Sequence, residues 1–228
     1  MGGCLPAVLI FASPPMASPS LVIPLLRAAA WFAQDPLDSR LAPGTEGGLD
    51  LAWGEPDVAF VDRLQRRRLS PLARGCFHCA RRVSPPEQVR VVFASRHGEA
   101  DRTLAILQDL AAGAEVSPAL FSMSVHNAVP GLWSILNGDR ASFSAVAAGP
   151  DSFGWGLVEA LATFRADPSG PVLFLYGDDR LPDPWADPTP RGQLFAVALL
   201  LGEPGRPLAL ESGPAQAIPL LRALRGLS

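Results

Sequence analysis

Patterns typical of β-strands alternate with patterns typical of α-helices through much of this 228-residue chain. The strand patterns are short runs rich in β-branched and aromatic residues, such as QVRVVFAS at 88–95. Strand patterns cover residues 88–95, 141–147, 171–176 and 194–201, and helical patterns cover residues 71–83, 101–112, 124–136 and 153–164. Because helices that connect neighbouring strands pack on the faces of the sheet, this order predicts an α/β fold. We expect a mixed, partly parallel sheet that is covered by helices.

The ends of the chain and one internal segment have weaker patterns. Residues 21–31 suit either a strand or a short helix, and residues 34–57 are rich in Pro, Gly and Asp, which predicts an irregular surface segment. A last strand is expected over 207–212 and a closing helix over 215–225. We interpret residues 1–19 as a flexible leader or a mis-assigned start, and residues 20–228 as a single domain.

Charge and cysteine usage exclude several classes of protein. The formal net charge is −3, which argues against a nucleic-acid-binding protein because such proteins usually carry a basic face. Three cysteines do not form a disulfide framework and favour a reducing, cytoplasmic setting. The apolar run at 5–11 has no preceding positive charge and is too short to cross a bilayer, so we predict no membrane span.

Cys76 and Cys79 form a CxxC motif within the predicted helix 71–83. Two thiols at this spacing can bind zinc or cycle between redox states. A structural zinc site needs four ligands, however, and the sequence offers no second pair. We therefore predict that both cysteines line the apolar face of the helix, and we predict neither a metal nor a cofactor.

Carboxylates follow the strand pattern at 171–176, namely Asp178, Asp179, Asp183 and Asp187. They could serve as metal ligands or as acid/base groups, but Asp is also common in turns beside Gly and Pro. We favour a solvated loop for this segment.

Two arginine clusters, at 66–68 and 81–82, are open to two interpretations. They could dock an acidic partner such as an acyl carrier protein, or they could be ordinary solvated flanks of helices. The sequence contains no GxSxG, P-loop, GxGxxG or HExxH motif, and its three histidines offer few general bases.

The order of segments between residues 89 and 164 is specific. A strand (VVFAS) leads to a turn at Gly98 and a helix that ends near Gly113; then come VSPALFSMSVHNAVPGLWSILNG, GDRASFSAVAAGPDSF and a further helix. This succession resembles the N-terminal half of β-ketoacyl synthases, and Asn127 falls where many of them have Asn. Residues 60–201 can be aligned with that half. The chain resembles the short β-ketoacyl synthase-like N-terminal family, which includes chain-length-factor-like subunits of aryl polyene pathways.

The resemblance implies a thiolase-like half without catalytic residues. In the family, a nucleophilic Cys opens the helix that follows the strand at 141–147, whereas this sequence has Gly149 there, between Ala148 and Pro150. None of these residues can form a thioester. The paired His, or His and Asn, of the family lie in a C-terminal half, which we expect this chain to lack. We therefore expect a non-catalytic subunit.

The resemblance also implies a catalytic β-ketoacyl synthase as the partner in a heterodimer, with an acyl carrier protein as a further partner. The pairing strand is expected at Ala141, Ser142, Phe143, Ser144, Ala145 and Val146. Bulky residues that could line an acyl tunnel are Phe121, Met123, Val125, Val129, Leu132 and Trp133. These six residues could equally be plain core.

Two other functions stay open at this stage. One is a stand-alone module that binds acyl chains or an acyl carrier protein. The other is an acyltransferase or thioesterase of altered chemistry that uses Ser144, Ser152 or the carboxylates near Asp178. The absence of a positioned base beside either serine counts against the enzyme.

Overall fold

A mixed β-sheet forms the centre of the computed structural model, which describes residues 21–35, 43–46, 48–185 and 193–210. Within these residues the strands are β1 (Leu21–Phe32), β2 (Gly44–Glu46), β3 (Leu49–Trp53), β4 (Arg90–Ala94), β5 (Phe143–Val146), β6 (Val172–Asp178), β7 (Phe195–Leu201) and β8 (Arg206–Leu210). Their order is β2-β3-β1-β7-β6-β4-β5, and β8 pairs with β1. Strand β4 is parallel to both β5 and β6, whereas β7 is antiparallel to β1 and β6. The predicted mixed sheet is confirmed.

The helices among the described residues are α1 (Arg63–Arg66), α2 (Pro71–Arg82), α3 (Ala100–Ala111), α4 (Pro118–Ser122), α5 (Ala128–Asn137) and α6 (Ser152–Ala166). Helix α2 begins as its sequence predicts. The Ser70 hydroxyl accepts a hydrogen bond from the Ala73 N–H (3.0 Å), and Pro71 occupies the first turn, where no intrahelical donor is needed.

Apolar side chains form one cluster on each face of the sheet. Helices α2 and α5 cover the first face, and α6 covers part of the second. Helix α6 approaches the sheet closely at Gly156, where an added Cβ would lie 2.4 Å from the Ala94 Cβ and 2.8 Å from the Phe174 ring. Only a residue without a side chain allows this approach, so Gly156 sets the distance between α6 and the strands β4 and β6.

Two predictions about secondary structure need correction, and one ambiguity is settled. Residues 21–31 belong to strand β1, so the choice between strand and helix is resolved in favour of a strand. The prediction of an irregular segment at 34–57 is wrong for β2 and β3, because Leu49 and Leu51 are buried and β3 pairs with β1. The helix expected over 124–136 begins later than predicted, because residues 124–127 form a turn before α5, and the short helix α4 that precedes this turn was not predicted.

Strand β8 confirms the last predicted strand, because it contains four of the six residues predicted at 207–212. The expected helix at 215–225 and the expected leader at 1–19 lie outside the described residues. Among the residues described, no helix has the length and apolar character needed to cross a bilayer.

Candidate functional site

The carboxyl ends of the three parallel strands β4, β5 and β6 meet at one edge of the sheet. Sites in open α/β sheets commonly lie at this edge. Here the segments that follow the strands contribute Ser95, His97, Gly149, Asp178 and the start of α6.

Gly149 lies in the tight turn between β5 and α6. Its φ of +57° is in the left-handed region, and an added Cβ would meet no atom within 4 Å. The turn continues as a short 3-10 helix (Gly149–Asp151) and leads directly into the 15-residue helix α6. A side chain at position 149 would therefore project from an exposed turn at the beginning of this helix, but glycine supplies no nucleophile there.

The Ser152 hydroxyl holds this turn together and is not free for chemistry. It accepts a hydrogen bond from the Ala148 N–H (2.9 Å) and donates one to the Gly149 carbonyl (2.7 Å). The Ser152 side chain is fully buried. The Ser144 hydroxyl instead donates to Glu159 at 3.4 Å. Neither serine makes a hydrogen bond to a histidine, so within the described residues no serine–histidine pair forms here.

Asp178 links the ends of β4 and β6. Its carboxylate accepts hydrogen bonds from the Ser95 hydroxyl (3.0 Å), the Tyr176 hydroxyl (2.9 Å) and the backbone N–H groups of Arg96 and His97 (both 3.1 Å). The prediction of a solvated loop is therefore wrong for Asp178, which is a largely buried hydrogen-bond centre. Asp179 is half-buried, and that burial raises the pKa of its carboxyl.

Asp183 is exposed, as the solvated-loop interpretation predicted, while Asp187 lies outside the described residues. No cluster of three or more potential metal ligands occurs in the part of the chain that the structure describes. Sequence reasoning missed the partners of Asp178; its position at the end of a buried strand was the available indication.

Both histidines near this edge have structural contacts. The His97 Nδ1 lies 3.2 Å from the Asp179 carbonyl oxygen and 3.7 Å from the Asp178 carboxylate. The His126 Nε2 lies 3.1 Å from the Val146 carbonyl oxygen, at the end of β5. Since Val146 precedes the Gly149 turn by three residues, His126 helps to fix the strand that leads into this turn.

Cys76 and Cys79 are fully buried in the cluster under α2, as predicted. Cys79 donates a weak hydrogen bond through its Sγ to the Ala196 carbonyl (3.4 Å). Burial raises the pKa of both thiols above the usual cysteine value. These thiols are therefore core side chains rather than nucleophiles.

The predicted pairing strand lies at one end of the sheet, where β5 has β4 as its neighbour. Val91 N–H donates to the Ser142 carbonyl (3.1 Å) and Ser95 N–H donates to the Val146 carbonyl (3.2 Å). The opposite edge of β5 has no paired strand among the described residues, and Phe143 on this strand is 39% exposed. A strand of this kind can accept another strand.

The six candidate tunnel residues differ in burial. Val129, Leu132 and Trp133 are buried in the core, where Trp133 packs edge-to-face on Phe77 with ring centroids 5.3 Å apart. Met123 is half-buried against the same cluster. Phe121 and Val125 are exposed at 60% and 40%. The burial of three of them favours the core interpretation for those three, and the tunnel role of the group stays a prediction.

Comparisons with known proteins bear on this arrangement. Residues 46–220 match the family model described as "Beta-ketoacyl synthase, N-terminal domain". This match covers well over half of the chain. The chain belongs to the β-ketoacyl synthase N-terminal domain family. No curated protein matches it.

One solved structure agrees with the family. A structure of a ketosynthase (ApeO) in complex with its chain length factor (ApeC) from Xenorhabdus doucetiae is 30% identical, with a TM-score of 0.63, and the alignment covers 81% of this chain and 80% of that chain. The two aligned chains thus have similar lengths. The predicted thiolase-like ketosynthase fold is confirmed by this similarity.

Two more distant structures are HMG-CoA synthases. PksG from Bacillus subtilis is 12% identical with a TM-score of 0.43 over 87% of this chain and 44% of that chain. The HMG synthase of the curacin pathway, in complex with holo donor-ACP, is 14% identical with a TM-score of 0.41 over 80% of this chain and 41% of that chain.

Proposed function

We propose that this chain is a non-catalytic, chain-length-factor-like subunit that pairs through β5 with a catalytic β-ketoacyl synthase. The assembly would serve type II fatty-acid or aryl-polyene-type biosynthesis in the cytoplasm. The observation that carries the proposal is the similarity to a structure that contains a ketosynthase and its chain length factor, over about four-fifths of two chains of similar length.

The site geometry supports a non-catalytic role. The strand–turn–helix arrangement that would present a nucleophile is intact, but Gly149 lies in the turn and Ser152 is buried. A thiol at a helix N-terminus has a lowered pKa and is a good nucleophile, and the described residues provide none at α6. The two cysteines within those residues lie on the buried face of α2.

The free edge of β5 supports a partner strand. Unpaired N–H and C=O groups along an edge form backbone hydrogen bonds readily, and proteins usually cover or interrupt such edges. Phe143 adds an exposed aromatic side chain on the same strand. A ketosynthase strand paired with β5 would cover both features.

Co-expression tests the proposal directly. The chain would be co-expressed with the ketosynthase encoded beside it, and the purified species would be weighed by native mass spectrometry, with each protein alone as a control. We expect a stable complex with equal numbers of the two chains. Acyl-chain elongation by this complex should require the ketosynthase cysteine.

The alternative functions give different outcomes. A monomer or homodimer that ignores the ketosynthase but binds acyl chains or an acyl carrier protein would replace the proposal with a stand-alone binding module. A covalent acyl adduct on the isolated chain, located by peptide mass spectrometry, would instead indicate an acyltransferase or thioesterase.

A further inference from the structure

His78 lies on the buried face of α2, and only 5% of its surface is exposed. Its Nδ1 accepts a hydrogen bond from the backbone N–H of Asp57 at 2.9 Å, so this nitrogen carries a lone pair and the ring proton is on Nε2. The Nε2–H group is buried and has no hydrogen-bond partner among the described residues. The ring is tilted against Trp31, with the two ring centroids 6.5 Å apart. This arrangement accommodates the neutral imidazole.

A second proton on the His78 ring would meet no acceptor. On Nδ1 it would point at the Asp57 N–H, which is itself a donor, and the bond between α2 and residue 57 would be lost. The imidazolium would also place a positive charge in a buried site where neither of its N–H groups has an acceptor, which is costly. The protonated ring therefore fits this fold only if residue 57 moves away.

Charged groups from three elements surround His78, and together they do not favour a cation there. Arg82 lies one turn further along α2 and repels an imidazolium. Asp50 on β3 is already engaged by Arg82 (2.6 Å), the Asp57 carboxylate is exposed to solvent, and the contact from β1, Trp31, is uncharged. Burial, followed by the Arg82 charge, lowers the pKa of His78 below its usual value, although Asp57 and Asp50 oppose this shift.

The bond to His78 holds the middle of a segment whose two ends are anchored separately. At the start of the segment, the Gly54 N–H and the Gly54 carbonyl are each hydrogen-bonded to a residue of β1 at 3.0 Å. At its end, Arg66 donates to the carbonyls of Ala59 (3.0 Å) and Val61 (2.8 Å). Loss of the central bond would therefore free residues 55–58 while both anchors remain.

We propose that His78 is a proton-operated latch, which ties residues 55–58 to α2 while the imidazole is neutral and releases them when it is protonated. Release would expose Val58, whose side chain is buried in the latched state. The segment leads into residues 60–62, which line one wall of an open cavity of about 280 Å³, and residues 135–137 at the end of α5 line the other wall. The latch thus controls the segment that leads into this cavity.

The direction of the pH effect follows from the two states of the latch. His78 has the lower pKa in the latched state, so the latch is fully stable above the ordinary histidine pKa of about 6.5 and weakens as the pH falls below it. Release takes up one proton in this range. Each pH unit below about 6.5 therefore raises the released population by up to about tenfold, until the latched state itself binds the proton.

Hydrogen–deuterium exchange read by mass spectrometry tests the latch in the full-length chain as purified after co-expression. Overlapping peptides resolve the Asp57 amide, and its exchange rate is divided by the chemical exchange rate at the same pH to give a protection factor. We expect this protection to fall about five- to tenfold between pH 7.5 and 5.5, while that of the buried strand β7 changes less than twofold. An unchanged Asp57 amide, or an equal change in β7, would overturn the proposal.

His78→Asn is the matched variant, because the Asn Oδ1 can take the place of Nδ1 as the acceptor but does not titrate in this range. It should keep the Asp57 amide protected to within about twofold at both pH values. His97→Asn is the control, since His97 follows β4 and lies beside the Asp179 carbonyl, and it should retain the full effect of pH. A pH dependence that persists without His78, or that disappears without His97, would refute the latch.

A second measurement uses the unaltered chain and does not depend on the folding of any variant. Long-range ¹H–¹⁵N spectra of protein with labelled histidine report the tautomer and the titration of each imidazole. We expect His78 to carry its proton on Nε2 at pH 7.5 and to titrate below about 6.5. A proton on Nδ1 at pH 7.5, or titration of His78 above this value, would overturn the assignment.

Discussion

The backbone of β5 allows strand pairing with a partner to be tested without disturbing the fold. Strand β5 is parallel to β4, with Ser144 opposite Val92. In a parallel ladder alternate residues bond to one neighbour, so Ser142, Ser144 and Val146 direct their N–H and C=O groups to β4. The N–H group of Ala145 then points to the free edge of the sheet.

Ala145→Pro removes this outward N–H and places a ring on the edge, while every hydrogen bond to β4 is kept. Proline is tolerated on edge strands where its missing N–H faces outward. A partner strand would lose one hydrogen bond, worth about 0.5–1.5 kcal/mol, and would keep an unpaired carbonyl that costs about 1–3 kcal/mol. The combined loss of about 1.5–4.5 kcal/mol weakens the complex by roughly 10- to 2,000-fold in Kd.

Native mass spectrometry across a dilution series of the co-expressed complex measures this change. Ala145→Ser is the matched control, because it keeps the N–H group and changes the side chain little. Ser144→Pro is the contrasting variant. It removes a bond to β4 and should lower the free energy of unfolding by about 1–3 kcal/mol, seen as a lower melting temperature by circular dichroism.

The reasoning would be refuted if Ala145→Pro bound the ketosynthase as tightly as Ala145→Ser did. The partner would then contact the chain elsewhere, or through side chains alone. A large drop in melting temperature for Ala145→Pro would contradict the assignment of its N–H to the free edge.

Three further predictions concern the core and its titratable groups. Gly156→Ala should lower the free energy of unfolding by about 1–3 kcal/mol in denaturant melts, because its Cβ would overlap the Ala94 side chain. Gly131→Ala is the control: its Cβ would meet only the Phe143 ring, at 4.0 Å, so it should raise the free energy of unfolding by up to about 1 kcal/mol. Equal effects of the two substitutions would contradict the close packing of α6 on the sheet. Cys76 should resist alkylation in the native protein and react after denaturation, as read by peptide mass spectrometry, because burial raises the pKa of its thiol; rapid native labelling would show that α2 opens. Burial raises the pKa of the Glu99 carboxyl, so the folded state binds its proton more strongly than the unfolded state does, and the free energy of unfolding falls as the pH rises from about 4.5 towards neutrality. Glu99→Gln should weaken this pH dependence in denaturant melts at several pH values. An unchanged dependence of the free energy of unfolding on pH would exclude Glu99 as its source.

Local sequence patterns predicted most elements correctly because they report burial and periodicity. Helix α2 has a capping serine and a first-turn proline, and β4, β6 and β7 are continuous apolar runs. The missed strand β3 is short and lies in a segment rich in turn residues. Its identity depends on pairing with β1 about 20 residues earlier in the chain, which no local pattern shows.

The same limit applied to the site. Asp178 was predicted to be a loop residue, because the sequence does not reveal that β4 and β6 are neighbours. This pairing brings Ser95, which follows β4, within hydrogen-bond distance of Asp178. The sequence placed the candidate tunnel residues in one group, but Val129 and Trp133 lie on the face of α5 that packs into the core. Their orientation was decided by packing against α2.

The sequence by itself determined that position 149 has no nucleophile, since glycine has no side chain in any fold. It also determined the α/β class, because alternating strand and helix patterns have few other solutions. Only the tertiary structure decided that β5 lies at an end of the sheet, with one side unpaired among the described residues, and that α1 faces a cavity formed with the end of α5. Both arrangements depend on strand order and helix packing, which arise from contacts between residues far apart in the chain.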